Sequence, residues 1–150
     1  MIYIGIDPGK NTGVAVYSSY IKELVYFGTH DFWGAEMEIR EHIIHENTSN
    51  ICAVIENPAL NKGIYSRYNK AIKGAKNPNG VENGIRAGVA KNSRDAQLWI
   101  EYFKRLGIKV IEFKPNGKSP KWSEAYCKKI TGETVKSEHS RDAIKMIFGR

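Results

Sequence analysis

The run Ile51-Cys52-Ala53-Val54-Ile55 constrains the fold more than any other stretch of the chain. It is apolar at every position, has the length of a strand, and stops on a charge at Glu56. Successive side chains of a strand point to opposite faces of the sheet, so a strand without a polar position has to be covered on both sides. A central strand of a layered α/β sheet meets that condition.

The remaining pattern supplies the neighbours. Ile2 to Ile6 alternates β-branched, aromatic and glycine residues, then breaks at Asp7-Pro8-Gly9, a strand running into a tight turn. Val14-Ala15-Val16-Tyr17 resumes the strand pattern, and Glu23 to Gly28 reads as a third strand, giving an antiparallel meander with short links. Trp33 to His45 carries Met37, Ile39, Ile43 and Ile44 on a charged background and predicts a helix. A second helix is expected from about Ile85 to Leu106, with Ala96, Trp99, Ile100 and Phe103 on one face and Gly107 as its C-cap. Ile108 to Phe113 reads as a fifth strand, and Trp122–Ile130 and Glu138–Phe148 as helices. The expectation is a mixed five-stranded sheet, three antiparallel strands plus two further ones, with helices on both faces. At 150 residues one domain suffices.

Between Asn57 and Asn83 the periodicity fails, and the stretch is rich in Asn, Gly, Lys and Tyr. Lys62, Arg67, Lys70, Lys73 and Lys76 stand there against Glu82 alone, so a basic, flexible, functional loop is expected at about 57–83. The whole chain has a net charge of +7 and a pI near 9.4, a balance that attracts polyanions, nucleic acid first among them. No apolar run approaches the roughly 20 residues of a membrane-spanning helix. Cys52 and Cys127 sit in no metal-type spacing and read as idle thiols of a reducing cytoplasm. His42 and His45 lack a third partner for zinc.

Three acids stand out by position. Asp7 closes the first strand, Glu56 closes the fourth, and Asp142 lies on the last helix with His139 one turn earlier on the same face. Taken singly, Asp7 is a turn former and Asp142 a surface acid. Glu56, closing a buried strand, needs a partner or a role. Should the first and fourth strands be neighbours, the three converge. Phosphodiester hydrolysis has to stabilise charge on the attacking and the leaving oxygen, which two Mg²⁺ ions about 4 Å apart can do when held by carboxylates. A basic chain holding an acidic pocket suits that chemistry, with cationic flanks for phosphates and an anionic centre for metal.

Ile4-Gly5-Ile6-Asp7-Pro8-Gly9, followed by Thr12-Gly13 and another strand, resembles the first motif of RuvC-type Holliday-junction resolvases. Val54-Ile55-Glu56 is similar to their second acidic strand. His139-Ser140-Arg141-Asp142-Ala143 is similar to their last motif, where an acid or His precedes the final Asp by three residues. The resemblance spans nearly the whole chain, in the right order. It implies a ribonuclease H-like fold, dependence on Mg²⁺ or Mn²⁺ with two ions per site, and paired nicking of four-way DNA junctions by a homodimer. By the same resemblance Asp7, Glu56 and Asp142 are metal ligands. His139 takes the fourth acidic position, ligating metal through a ring nitrogen or helping to activate the attacking water. The compact size resembles a phage or mobile-element member, acting in the cytoplasm of a bacterial or phage-infected cell.

The family's aromatic wedge after the second acid has no counterpart before Tyr65; Tyr65 or Tyr68 could stack on an unpaired base at a branch point, or pack the loop. Lys114, Lys118 and Lys121 follow the fifth strand, where the resemblance implies contacts to the scissile phosphate, with Lys118 assisting the transition state. Two other readings stay open. One is a non-catalytic nucleic-acid-binding module on the same fold; the other is a looser nuclease for flaps, forks or hybrids. The pair Gly84 and Gly88 predicts a helix face packed closely against the sheet or another subunit.

Overall fold

The computed structural model describes residues 1–60, 74–115 and 120–150. Five strands form one mixed sheet: β1 (Ile2–Asp7), β2 (Thr12–Ser18), β3 (Glu23–His30), β4 (Ile51–Glu56) and β5 (Lys109–Phe113), in the order β3-β2-β1-β4-β5. The first three are antiparallel neighbours, and β4 and β5 run parallel to β1. This is the mixed five-stranded α/β sheet expected from the sequence, three antiparallel strands plus two further ones. Among the described residues four α-helices cover it: α1 (Phe32–Ile43), α2 (Pro78–Arg105), α3 (Glu124–Thr131) and α4 (Glu138–Ile147).

The alternation of side chains divides the core into two layers. On one face Ile2, Ile4, Ile6, Val14, Val16, Ile51, Ala53 and Ile55 pack against Ala35 and Ile39 of α1 and Ala96, Trp99, Ile100 and Phe103 of α2. On the other, Ala15, Tyr17 and Val54 pack against Cys127 of α3, the intervening Val135, and Ala143, Ile144 and Ile147 of α4. Fully buried Ile4, Ile6 and Ile55 each contribute about 1.5–3 kcal/mol of transfer free energy. Both cysteines are buried and free. Among the described residues no helix is long and apolar enough to cross a membrane.

Several boundaries differ from the sequence expectation, each for a local reason. Helix α2 begins at Pro78 rather than near Ile85, because Asn77 caps it by accepting from the Gly80 amide at 3.0 Å and Pro78 needs no donor in the first turn. A 3-10 turn occupies Pro58–Leu60. On α1 only Ile39 and Ile43 of the four apolar positions face the core; Met37 and Ile44 are each 64% exposed. Strand β3 continues to His30, two residues past Gly28. Gly107 closes α2 at φ +72°, as its position predicts. Among the described residues nothing lies within 4 Å of where a side chain on Gly84 or Gly88 would begin, so neither glycine packs against the sheet.

Candidate functional site

One row of the sheet organises the site. Asp7 of β1 pairs with Gly13 of β2, and Gly13 pairs with Thr29 of β3. On the other side β1 runs beside β4 in parallel with Ile6 opposite Ile55, so Asp7 and Glu56 leave the two strands together one residue later. Thr29, Gly13, Asp7 and Glu56 therefore lie side by side across four strands, on the face covered by α4.

Helix α4 crosses this row with its first turn, packing on β1, β2 and β3. Two glycines let it approach. A Cβ on Gly13 would overlap the His139 carbonyl, and one on Gly5 would overlap the Ala143 carbonyl. Side chains at those positions would lift the helix off the strands. Ser137 caps α4, accepting from the Ser140 amide, and Arg141 ties down the chain before it by donating to the carbonyls of Trp122, Val135 and Lys136 at 2.6–2.8 Å. With the helix so seated, His139 Nδ1 lies 2.7 Å from Asp7 Oδ2. An ionised carboxylate has no proton to give, so against ionised Asp7 the Nδ1–H donates.

The pocket is electrostatically loaded. Burial, then repulsion from Asp7 and Asp142, pushes the Glu56 carboxyl up to about 7, against the pull of Lys121 and Lys145. Burial also raises Asp7, with Asp142 adding to it, while the bond to His139 works the other way. Lys121 bonds to Glu138 and lies 3.6 Å from Asp142 Oδ2. Lys145 donates to the Pro120 carbonyl at 3.0 Å. Crowded acids that raise one another's pKa are relieved by a cation placed among them.

Three carboxylates and an imidazole, hard oxygen donors in the main, suit Mg²⁺ or Mn²⁺. As the side chains stand, no three His, Cys, Asp or Glu among the described residues are drawn together as a closed ligand set. His139 is engaged with Asp7, and Asp142 faces Lys121. The donor chemistry thus fits a divalent ion at Asp7, Glu56 and Asp142, with the acids adjacent but not gathered.

Of the four candidate residues, His139 bonds to Asp7, and Glu56 lies close enough to feel the charges of Asp7 and Asp142. Lys121, expected near the scissile phosphate, bonds to Glu138 and lies beside Asp142 at the acidic cluster. Lys114 and Lys76 are exposed. Lys62, Tyr65, Arg67, Tyr68, Lys70, Lys73 and Lys118 lie outside the described residues. Trp99 and Phe103 are core, and Trp122 is partly buried against the second layer. Sequence reasoning passed over Gly5, Gly13, Thr29, Ser137 and Ser140. A glycine inside a strand pattern is a recognised sign of close backbone approach and could have flagged the first two. Ser137, directly before the last helix, carries an N-cap signal, and nothing local marks Thr29 or Ser140.

No protein-family model matches the chain, and no curated protein does. Among solved structures it is similar to the Fowlpox virus resolvase in complex with its substrate Holliday junction DNA, at 17% identity and a TM-score of 0.39, covering 97% of this chain and 84% of that one. A likeness so distant transfers no property from that protein to this one.

Proposed function

We propose that the chain is a metal-dependent endonuclease that hydrolyses phosphodiester bonds in branched DNA, resolving four-way junctions by paired nicks in the manner of RuvC-type enzymes. One observation carries the reading: Asp7, Glu56, His139 and Asp142 are neighbours at the ends of the inner strands β1 and β4, in a chain whose net charge is +7. An acidic centre in a cationic body is an expensive arrangement unless it receives a cation and a polyanion.

In this reading Asp7, Glu56 and Asp142 hold Mg²⁺ or Mn²⁺, two ions per site, and His139 stands beside them as ligand or as acceptor for the attacking water. The metal supplies Lewis-acid stabilisation of charge on the phosphate and lowers the pKa of bound water. The chain's own groups do the rest. Asp7 orients the His139 ring by accepting from Nδ1, which leaves Nε2 as the nitrogen able to take a proton. Glu56, pushed up to about 7 by burial and by Asp7 and Asp142, would give up its proton when a cation is placed among the acids and bind it through the carboxylate. Lys114, Lys118 and Lys121 provide cations after β5 for the phosphates, and the basic stretch 62–76 holds the arms of the branch. Paired nicks in a symmetric junction call for two copies of the site, hence a homodimer.

The test is cleavage of a labelled four-way junction in Mg²⁺ and in Mn²⁺, beside flap, fork, hybrid and duplex substrates. Paired nicks confined to the junction support the reading. Equal cutting of flaps or hybrids replaces it with a looser nuclease. Tight binding without cleavage in either metal leaves a binding module.

A further inference from the structure

A ring of hydrogen bonds, closed through the covalent bonds of Ser140 itself, lies beside the acids. Ser140 Oγ donates to the Gly28 carbonyl at 2.8 Å, which uses its only proton. Its bond to Thr29 Oγ1 at 2.7 Å must then have Thr29 as donor. Thr29, having spent its own proton, accepts in its 2.6 Å bond to Ser137 Oγ. Ser137 Oγ in turn accepts from the Ser140 amide at 3.4 Å as the cap of α4. Each proton has one permitted direction: Ser140 amide to Ser137, Ser137 to Thr29, Thr29 to Ser140, Ser140 to Gly28.

The ring joins the first turn of α4 to β3 and to nothing else. Thr29 is its central member and stands in the same row as Gly13 and Asp7. Across that row the first turn of α4 has three footings: Ser137 and Ser140 on Thr29, the His139 carbonyl on Gly13, and the His139 ring on Asp7. The Gly13 footing is permissive, since it only removes an obstacle. The Thr29 footing is directional, since hydroxyl bonds at 2.6–2.8 Å fix both distance and rotation of the helix end. His139 sits between the two tethered serines, so rotation of that turn moves its ring across Asp7.

We propose that Thr29 is a positioning residue of the acidic site, whose hydroxyl, through Ser137 and Ser140, sets the rotation of the first turn of α4 and so holds the His139 ring on Asp7. Its consequence for cleavage rests on the nuclease reading; its consequence for the His139 ring does not. Valine at this position keeps the shape and strand preference of threonine and lacks the hydroxyl, while serine keeps the hydroxyl.

The experiment compares wild type, Thr29→Val and Thr29→Ser by nitrogen-15 NMR of the His139 ring, amide hydrogen exchange in α4, and junction cleavage in Mg²⁺. In Thr29→Val the Nδ1–H signal bonded to Asp7 shifts or broadens away, and first-turn amides exchange about tenfold faster while β1 and β4 keep their protection. Cleavage falls about tenfold or more with substrate affinity unchanged, as misplacement by a fraction of an ångström produces. Thr29→Ser restores all three. An unaltered His139 ring signal in Thr29→Val overturns the proposal, as does an altered ring with undiminished cleavage. If wild type cuts nothing, the nuclease reading fails and the ring signal still decides the positioning role. Should Thr29→Val not fold, Ser140→Ala breaks the same ring and is read by the same signals.

Discussion

The carbonyl of His139 rests directly on Gly13, the residue that pairs with Asp7 across the first two strands. The catalytic geometry proposed here therefore depends on a missing side chain. Gly13→Ala would place a methyl group where backbone already is, and backbone of a helix cannot yield as a flexible side chain can. The expected loss is about 1–3 kcal/mol or more, read as a fall in melting temperature. Gly84→Ala is the control: with open space around it in a helix interior, it should stabilise by about 0.5–1 kcal/mol.

Stability in the absence of divalent cations should decline as pH rises. The Glu56 carboxyl titrates near 7 in the folded chain and near 4.5 when unperturbed, so between those values the folded chain binds the extra proton. Its contribution is complete below about 4.5 and is lost as pH rises through about 7. Asp7 shifts in the same direction. Melting temperatures from pH 5 to pH 8 should fall for wild type and less steeply for Glu56→Gln. Mg²⁺ should raise the melting temperature more at pH 8 than at pH 5.

Lys121 supplies positive charge to the acids in the place a divalent ion is proposed to take. It is 66% exposed, so its worth to stability is small. Its removal should show in metal affinity instead. Lys121→Met is expected to tighten Mn²⁺ binding several-fold, about 1 kcal/mol for one unit charge acting through water on a divalent ion. Calorimetric titration measures this directly.

The cations at Lys62, Arg67, Lys70, Lys73 and Lys76 should reveal themselves by salt. Each phosphate contact removed lowers the slope of log affinity against log salt by about 0.9 for duplex arms. Replacing two of the five with Gln should lower that slope by nearly two without altering the metal requirement of cleavage. An unchanged slope would remove this segment from the DNA surface.

Much of the fold was legible because its signals are local. The unbroken run Ile51–Ile55 announced a central strand, and Asp7, Glu56 and Asp142 stood where strands and a helix could bring them together. Their meeting followed once β1 and β4 proved to be neighbours. The start of α2 was missed although Asn77-Pro78 is a cap followed by a first-turn proline, because the polarity of the stretch was weighed above its capping chemistry. Met37 and Ile44 belong to the apolar pattern that predicts α1 and are nevertheless exposed, since hydrophobicity alone does not say how wide the buried stripe of a helix is. The row Thr29–Gly13–Asp7 could not be read, since register between strands is set by pairing and appears in no single segment. Nothing in the chain order shows that Glu138 and Asp142 lie beside Lys121.

The most direct test of the acidic site as a nuclease centre is single-turnover cleavage of a labelled four-way junction by wild type, Asp7→Asn and Glu56→Gln, in Mg²⁺, with junction affinity measured alongside in Ca²⁺. The account predicts paired nicks by wild type, a loss of about a thousandfold or more in both variants, and junction affinity retained. Cleavage by either variant at the wild-type rate would contradict it.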